Sequence, residues 1–265
     1  MKHTQRLALL FLAVPASVAL AEGDAPIVEK LAHGEVNWTD KTVLATGSGA
    51  PDLKLPNVAA IRLAAERAAE LSAYKNVIEA LKGVRITATA LGGEQLGKVQ
   101  VKAQVEGTLR GCKRVDTRYF SDYGVDVVLK CPLDGALATA LVPPVEFKGV
   151  EPVGNKEFTG LVIDATLVSF KPTLSPRVLA DDGSELFGAA RVKPAFLTKQ
   201  GVVAYATTVE LAKKSERVGA TPLVVVATGL AGNELKLSPE DVAKLKATNT
   251  WFLGEGRVVV ATAKP

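Results

Sequence analysis

The chain has 265 residues, enough for one large domain or two modest ones with their own cores. It is 48% apolar and only 5% aromatic, which excludes a disordered tail. The formal charge is +4, but Lys2 and Arg6 lie in a segment expected to be removed; without them 30 basic residues face 28 acidic ones, which gives no electrostatic case for nucleic acid.

Residues 1–21, MKHTQRLALLFLAVPASVALA, run from a basic start into an apolar stretch and end on Ala19-Leu20-Ala21. This is the pattern of a secretory signal peptide, with cleavage expected between Ala21 and Glu22. The alternative, an uncleaved anchor, is disfavoured by the short run and by Pro15. No later segment has the apolar length of a membrane helix, so an exported, periplasmic protein is expected.

Residues 22–34 read as an irregular lead-in. EVNWTDKTVLATG (35–47) suggests two strands around a turn at Thr39–Lys41. The stretch VLATGSGAPDLKL (43–55) has a counterpart in VVATGLAGNELKL (225–237), with seven of thirteen positions identical. Both read as strand, glycine loop and entry to a helix; related half-domains and convergence both account for the repeat. A phosphate cradle needs backbone N–H groups backed directly by a helix N-terminus. Here Pro51 and Pro56 intervene, Asn57 lies well beyond Gly49, and G-K-[ST] is missing, so a connector from strand to helix is expected instead.

The run from Asn57 to Gly83 is the strongest helix signal, with Val58, Ile61, Ala64, Ala68, Leu71, Tyr74, Ile78 and Leu81 spaced by three and four. Asn57 suits the N-cap, and Arg62–Glu66 and Lys75–Glu79 suit pairs one turn apart. Val84–Ala90 reads as a strand. GKVQVKAQVEGTLR (97–110) alternates strictly between apolar and polar residues and reads as a half-buried antiparallel strand.

Cys112 and Cys131 bracket a hairpin with turn chemistry at Ser121–Gly124. Folded about the Ser121–Asp122 peptide, that hairpin sets the two thiols opposite each other, within disulfide reach. An exported protein favours the disulfide; two buried free thiols are the alternative, and without C-x-x-C a redox pair is disfavoured. At the tip, Tyr119, Phe120 and Tyr123 are candidate partner contacts, against packing within the hairpin.

Residues 132–157 carry four prolines, and 136–157 read as a linker, with the boundary near residue 150. The second domain, 158–265, contains strand-like FTGLVIDATLVSF, a hairpin on Asp182-Gly183, a weaker helix over 196–214 and the strand LVVVAT. It ends with a helix capped by Ser238 and Asp241 and the strand RVVVATA, which rhymes with VRITATA (84–90). The fold class is therefore α+β, in two domains (35–135 and 158–265), each a mainly antiparallel sheet packed by one or two helices.

Catalytic chemistry finds few candidates. His33 is the one imidazole left after signal removal, and a hydrolase would have to recruit it from the LAHGE segment. Asp181-Asp182 suit a turn, loose calcium binding being the alternative, and one histidine with a paired cysteine does not make a transition-metal site. No catalytic, cofactor or metal residues are nominated, and a non-enzymatic protein is expected.

The order VNWTDKTVLATGSGAP, AAIRLAAERAAELSAYKNVIEALKGVRI and RGCKRVDTRYFSDYGVDVVLKCPL resembles the Lpp-twenty lipoprotein family over about residues 34–134. The resemblance implies a bacterial envelope protein, in some members flagellum-associated, that works by assembly or binding, with envelope or flagellar proteins or its own copies as partners. Position 22 is Glu where a lipoprotein needs cysteine, so no acyl anchor is expected there. A small-ligand or glycan-binding module, using the groove between the domains, is the second expectation.

Overall fold

Gly47 and Gly49 lie inside a strand, and the long helix crosses directly over them. The computed structural model describes residues 25–149 and 154–264, so the signal segment, the Ala21–Glu22 bond and the boundary near residue 150 lie outside the described residues. The first unit begins with strands β1 (Val28–Leu31), β2 (Gly34–Asn37) and β3 (Thr42–Gly49). These are followed by helices α1 (Val58–Gly83), α2 (Gly92–Leu96) and α3 (Val99–Thr108). Strands β4 (Lys113–Tyr119) and β5 (Val125–Pro132) and helix α4 (Gly135–Leu141) complete it. The sheet runs β1-β2-β3-β5-β4 and is antiparallel throughout.

The strand-to-helix packing explains the glycines. A Cβ on Gly47 would stand 2.0 Å from the Ala73 nitrogen, and one on Gly49 1.9 Å from the Ala65 oxygen. The helix answers with Ala65, Ala69 and Ala73, all buried, so that two backbones touch. The buried ridge is therefore rotated from the expected one: Ala68 is exposed and Leu71 is 71% exposed. A leucine ridge would have held α1 too far from the strand for the glycines to have a purpose. Asn57 caps the helix as expected, its side chain accepting from the Ala60 N–H. Glu66 and Glu79 bond Arg114 and Lys82, rather than the partners expected one turn away.

Several expectations are corrected here. The lead-in is not irregular, because β1 pairs with β2 from Val28–Asn37 to Leu31–Gly34. Val84–Ala90 forms no strand, only an isolated bridge from Arg85 to Leu91. The alternating segment is helix α3: Val101, Val105 and Leu109 recur every four residues and turn inward, while Val99 is 84% exposed. The linker starts later than 136, since α4 buries Leu137, Ala138 and Leu141. The glycine stretches also fold differently. Gly47 and Gly49 precede an irregular connector to α1, whereas Gly229 lies in a strand that turns at Gly232 straight into a hairpin.

The hairpin joins Cys112 to Cys131, with Cα atoms 4.2 Å apart. Lys113 faces Lys130 and Arg114 faces Leu129, the expected register, but a bulge at Val115 then shifts the pairing by one. The turn is consequently wider than expected, spanning Phe120 to Gly124, with Tyr123 at φ 70°. Replacing both cysteines by serine should lower stability by about 3 kcal/mol, the value for opening a loop of this length. Urea denaturation of the oxidised, reduced and double-serine forms checks this; three coincident midpoints would show the bond to be without effect.

The second unit holds β6 (Gly160–Ala165), β7 (Val178–Leu179), β8 (Glu185–Phe187), α5 (Pro194–Gln200), β9 (Ala204–Ala206) and α6 (Val209–Lys214). It closes with β10 (Pro222–Ala231), β11 (Glu234–Leu237), α7 (Pro239–Ala247) and β12 (Val258–Thr262). The weak helix over 196–214 is thus two helices split by β9, because Gly201 at φ 70° ends α5 and an apolar run follows. The Asp182-Gly183 hairpin is present, Gly183 having φ 81° and the Ser184 N–H donating to the Asp182 carboxylate.

The molecule is α+β, with two sheets and helices packed on them. The second sheet is mixed and runs β8-β7-β11-β10-β6-β12-β9. Strands β10, β6, β12 and β9 are parallel neighbours, as are β11 and β7. Burial gives the reason. Every residue of β12 is buried, and alternate residues of β6 and β12 serve two cores, Leu161, Ile163, Val258 and Val260 on one side, Val162, Val259 and Ala261 on the other. Ser238 caps α7 as expected, but Asp241 does not reach back to close a box. Its Oδ2 accepts from the Val226 N–H and ties the helix to β10.

Candidate functional site

The two units meet along one continuous apolar core, and the polar groups at that junction make the most developed site among the described residues. Trp38, in the turn between β2 and β3, sets its ring edge-on to Tyr205 of β9, with centroids 5.9 Å apart. Its indole N–H donates to Glu29, which also pairs with Arg85 at 2.5 Å; Arg85 in turn donates to the Pro172 carbonyl. The Leu174 and Ser175 N–H groups donate to the Arg85 and Ile86 carbonyls, so a short backbone ladder crosses between the units. Segment 84–90, which makes no strand within its own sheet, is used here. The Tyr205 hydroxyl donates to the Thr173 carbonyl and accepts from the Thr173 N–H, and burial pushes its pKa up.

Two cations sit beside this ladder. Lys41, at φ 52°, donates to the Gln200 carbonyl at 2.5 Å. Arg217, from the loop after α6, donates to the carbonyls of Gln200, Gly201, Val202 and Gly256 at 2.7–2.9 Å. Burial, and secondarily Arg217, pulls the Lys41 pKa down to about 7, with Asp134 acting in the opposite direction. Burial alone lowers Arg217 to about 10. The side chains that most constrain the junction thus come from a turn and a loop.

Next to the cations a cleft of about 180 Å³ opens between α4 and α5, walled by Ala138, Val142, Pro143, Leu174, Leu197 and Val202. Across Gly201 it adjoins a void of about 20 Å³ bordered by Lys41, Asp134 and Thr173. None of these residues carries a motif. Lys41 reads as a turn residue and Arg217 as part of a polar loop, and only the fold brings them together.

The residues singled out from the sequence lie elsewhere. Tyr119 and Phe120 stand 54% and 45% exposed at the hairpin tip, away from the junction. The Tyr119 hydroxyl donates to Glu66, and Arg114 pairs with the same carboxylate. Together, Arg114 first, they hold the Glu66 carboxyl below its usual range. Tyr123 is half-buried, with the Arg62 guanidinium 5.7 Å from its ring centre. The ring pairs among the described residues lie at the junction and around Trp251, not in this hairpin. His33 is exposed in the turn between β1 and β2. Asp181 pairs with Lys236, and Asp182 holds its own turn. Among the described residues no helix is long and apolar enough to cross a membrane, and no three His, Cys, Asp or Glu side chains are placed to hold a metal ion.

No curated protein matches the chain. A family model describing the second domain of Treponema pallidum Tp0624 matches residues 160–264, which is less than half of the chain and starts at the first residue of β6. The second unit is similar to that domain.

Proposed function

We propose that this chain is a non-enzymatic, exported bacterial envelope protein with a role in assembly, its partners being envelope or flagellum-associated proteins or further copies of itself. The observation that carries the reading is the exposed pair Tyr119 and Phe120, at the end of an edge strand whose outer backbone groups face no neighbour in the sheet. Glu66 holds Tyr119 from below, so the aromatic tip is fixed before any partner arrives. Along β4, Arg114 pairs with Glu66 and Arg118 with Asp116, so the surplus positive charge of the strand is Lys113. The Lpp-twenty resemblance of the first unit points the same way.

Photocrosslinking in envelope fractions tests this. A crosslinker in place of Phe120 should yield one discrete product, and one in place of Ser184, in an exposed turn of the other unit, should yield none. A protein that stays monomeric and uncrosslinked from both positions would remove the assembly role.

The cleft between α4 and α5 favours a second reading, a small-ligand or glycan-binding module. A ligand seated there should raise the melting temperature, and Thr139→Trp, at the mouth of the cleft, should cancel that rise.

A further inference from the structure

The inner end of the junction cleft is more selective than its walls. Its outer chamber, about 180 Å³, is slightly larger than the apolar cavity of about 150 Å³ known to accept benzene. Its inner void, about 20 Å³, has room for roughly one water-sized group. The two adjoin, with Ala138, Leu174, Gly201 and Val202 bordering both. Gly201 matters most at that shared border: a Cβ there would lie 3.6 Å from the Lys41 amine, so the amine stands beside the residue that both chambers touch.

Three observations describe what the inner end lacks. The Thr173 hydroxyl is fully buried and has no hydrogen-bond partner of good geometry among the described residues. An unsatisfied hydroxyl is costly in a packed core and is commonly completed by a water or ligand. The Lys41 amine has three donors, and Gln200 is its one hydrogen-bond acceptor among the described residues. No carboxylate among those residues lies within ion-pair distance of Lys41, and Lys41 with Arg217 outnumbers Asp134 in charge. The cleft therefore offers an apolar chamber ending in a positive, hydrogen-bond-deficient corner.

We propose that this cleft binds a small monocarboxylate, with a ring-sized apolar group between α4 and α5 and the carboxylate on the Lys41 amine and the Thr173 hydroxyl. The proposal rests on the ligand-module reading of the same cleft and narrows it to one chemical class. One carboxylate oxygen takes the water-sized space of the inner void and accepts from Thr173. The other accepts from the amine, whose charge it neutralises. An uncharged isostere fills the outer chamber equally well but leaves the amine without a counter-ion.

Calorimetric titration of the full chain with phenylacetate and with phenylacetamide tests it. The acid should bind about tenfold or more tightly than the amide, the scale of one charge-assisted hydrogen bond. Lys41→Met should abolish that preference while leaving amide binding in place. Thr173→Val should weaken the acid more than the amide, and Thr139→Trp should block both. Acid and amide binding equally to the unmodified protein would overturn the carboxylate assignment and leave the ligand-module reading standing. Neither probe binding at millimolar concentration would overturn both. A preference that survives in Lys41→Met would show that another group reads the charge and would also overturn the assignment.

Discussion

Gly49→Ala should destabilise the protein by about 3 kcal/mol or more, while Gly229→Ala, in the second glycine stretch, should be neutral or slightly stabilising. The sign differs because the surroundings differ. A Cβ at Gly49 meets the Ala65 oxygen at 1.9 Å and the Ala69 nitrogen at 2.7 Å. Both are backbone atoms of α1, and neither can swing aside as a side chain can. The whole helix must back away from β3, which parts the Ala65, Ala69 and Ala73 ridge from the strand along several turns. Gly47→Ala makes the same demand one turn further along, at 2.0 Å from the Ala73 nitrogen. At Gly229 nothing lies within 4 Å of the added methyl, so only the smaller freedom of the unfolded chain remains to act. Urea denaturation of the three variants decides it. Equal midpoints for Gly49→Ala and Gly229→Ala would end the account of these glycines as close-packing positions.

That contrast also marks how far the sequence could be read. The two stretches share A-T-G and L-K-L, yet one glycine faces a helix backbone and the other faces open space. Identity along the chain records which residues are tolerated, not what lies across from them. Helix α1 was legible from its length and its N-cap, because those features depend only on local geometry. Its buried stripe was not, because Ala64-Ala68-Leu71 and Ala65-Ala69-Ala73 are both helical ridges and only the glycines of β3 select between them.

Segment 97–110 illustrates the same limit. Val99, Val101, Ala103 and Val105 satisfy a two-residue period, while Val101, Val105 and Leu109 satisfy a four-residue one. The helix prevails because the sheet offers this segment no strand neighbour, and a helix supplies its own hydrogen bonds. Its Gln, Lys and Ala residues also suit a helix. The disulfide register was reached through two offsets that cancel: the turn centres on Asp122 rather than on the Ser121–Asp122 peptide, and the bulge at Val115 restores the pairing that sets Cys112 opposite Cys131. The junction cleft was not legible, since Lys41, Thr173 and Arg217 are far apart in sequence and come from turns and loops without periodicity.

Arg217→Met should cost about 3 kcal/mol or more at neutral pH, since each buried carbonyl left unpaired costs about 1–3 kcal/mol. Its guanidinium is the common donor to four carbonyls on two loops, and methionine fills the space without donating to any of them. The loops that carry Gln200–Val202 and Gly256 then lose the tie that positions the floor of the cleft. The pH dependence follows from its neighbour. Lys41 has a pKa of about 7 in the folded protein against 10.5 for a free lysine, so between those values the unfolded chain binds more protons. The stability contributed by Lys41 is therefore lowest below pH 7 and rises with pH across that window, by on the order of a few kcal/mol. Arg217, pulled down to about 10, adds to the rise at its upper end. Asp134 opposes the shift, and Tyr205, whose pKa is raised by burial, stays protonated within the window. In Arg217→Met the repulsion on Lys41 is gone, its pKa returns toward the ordinary value, and the rise should become shallower. Denaturation midpoints at several values between pH 7 and 10 test both statements together. A flat profile in the unmodified protein, or a variant within 1 kcal/mol of it at neutral pH, would mean that water reaches these cations and that the junction does not depend on them.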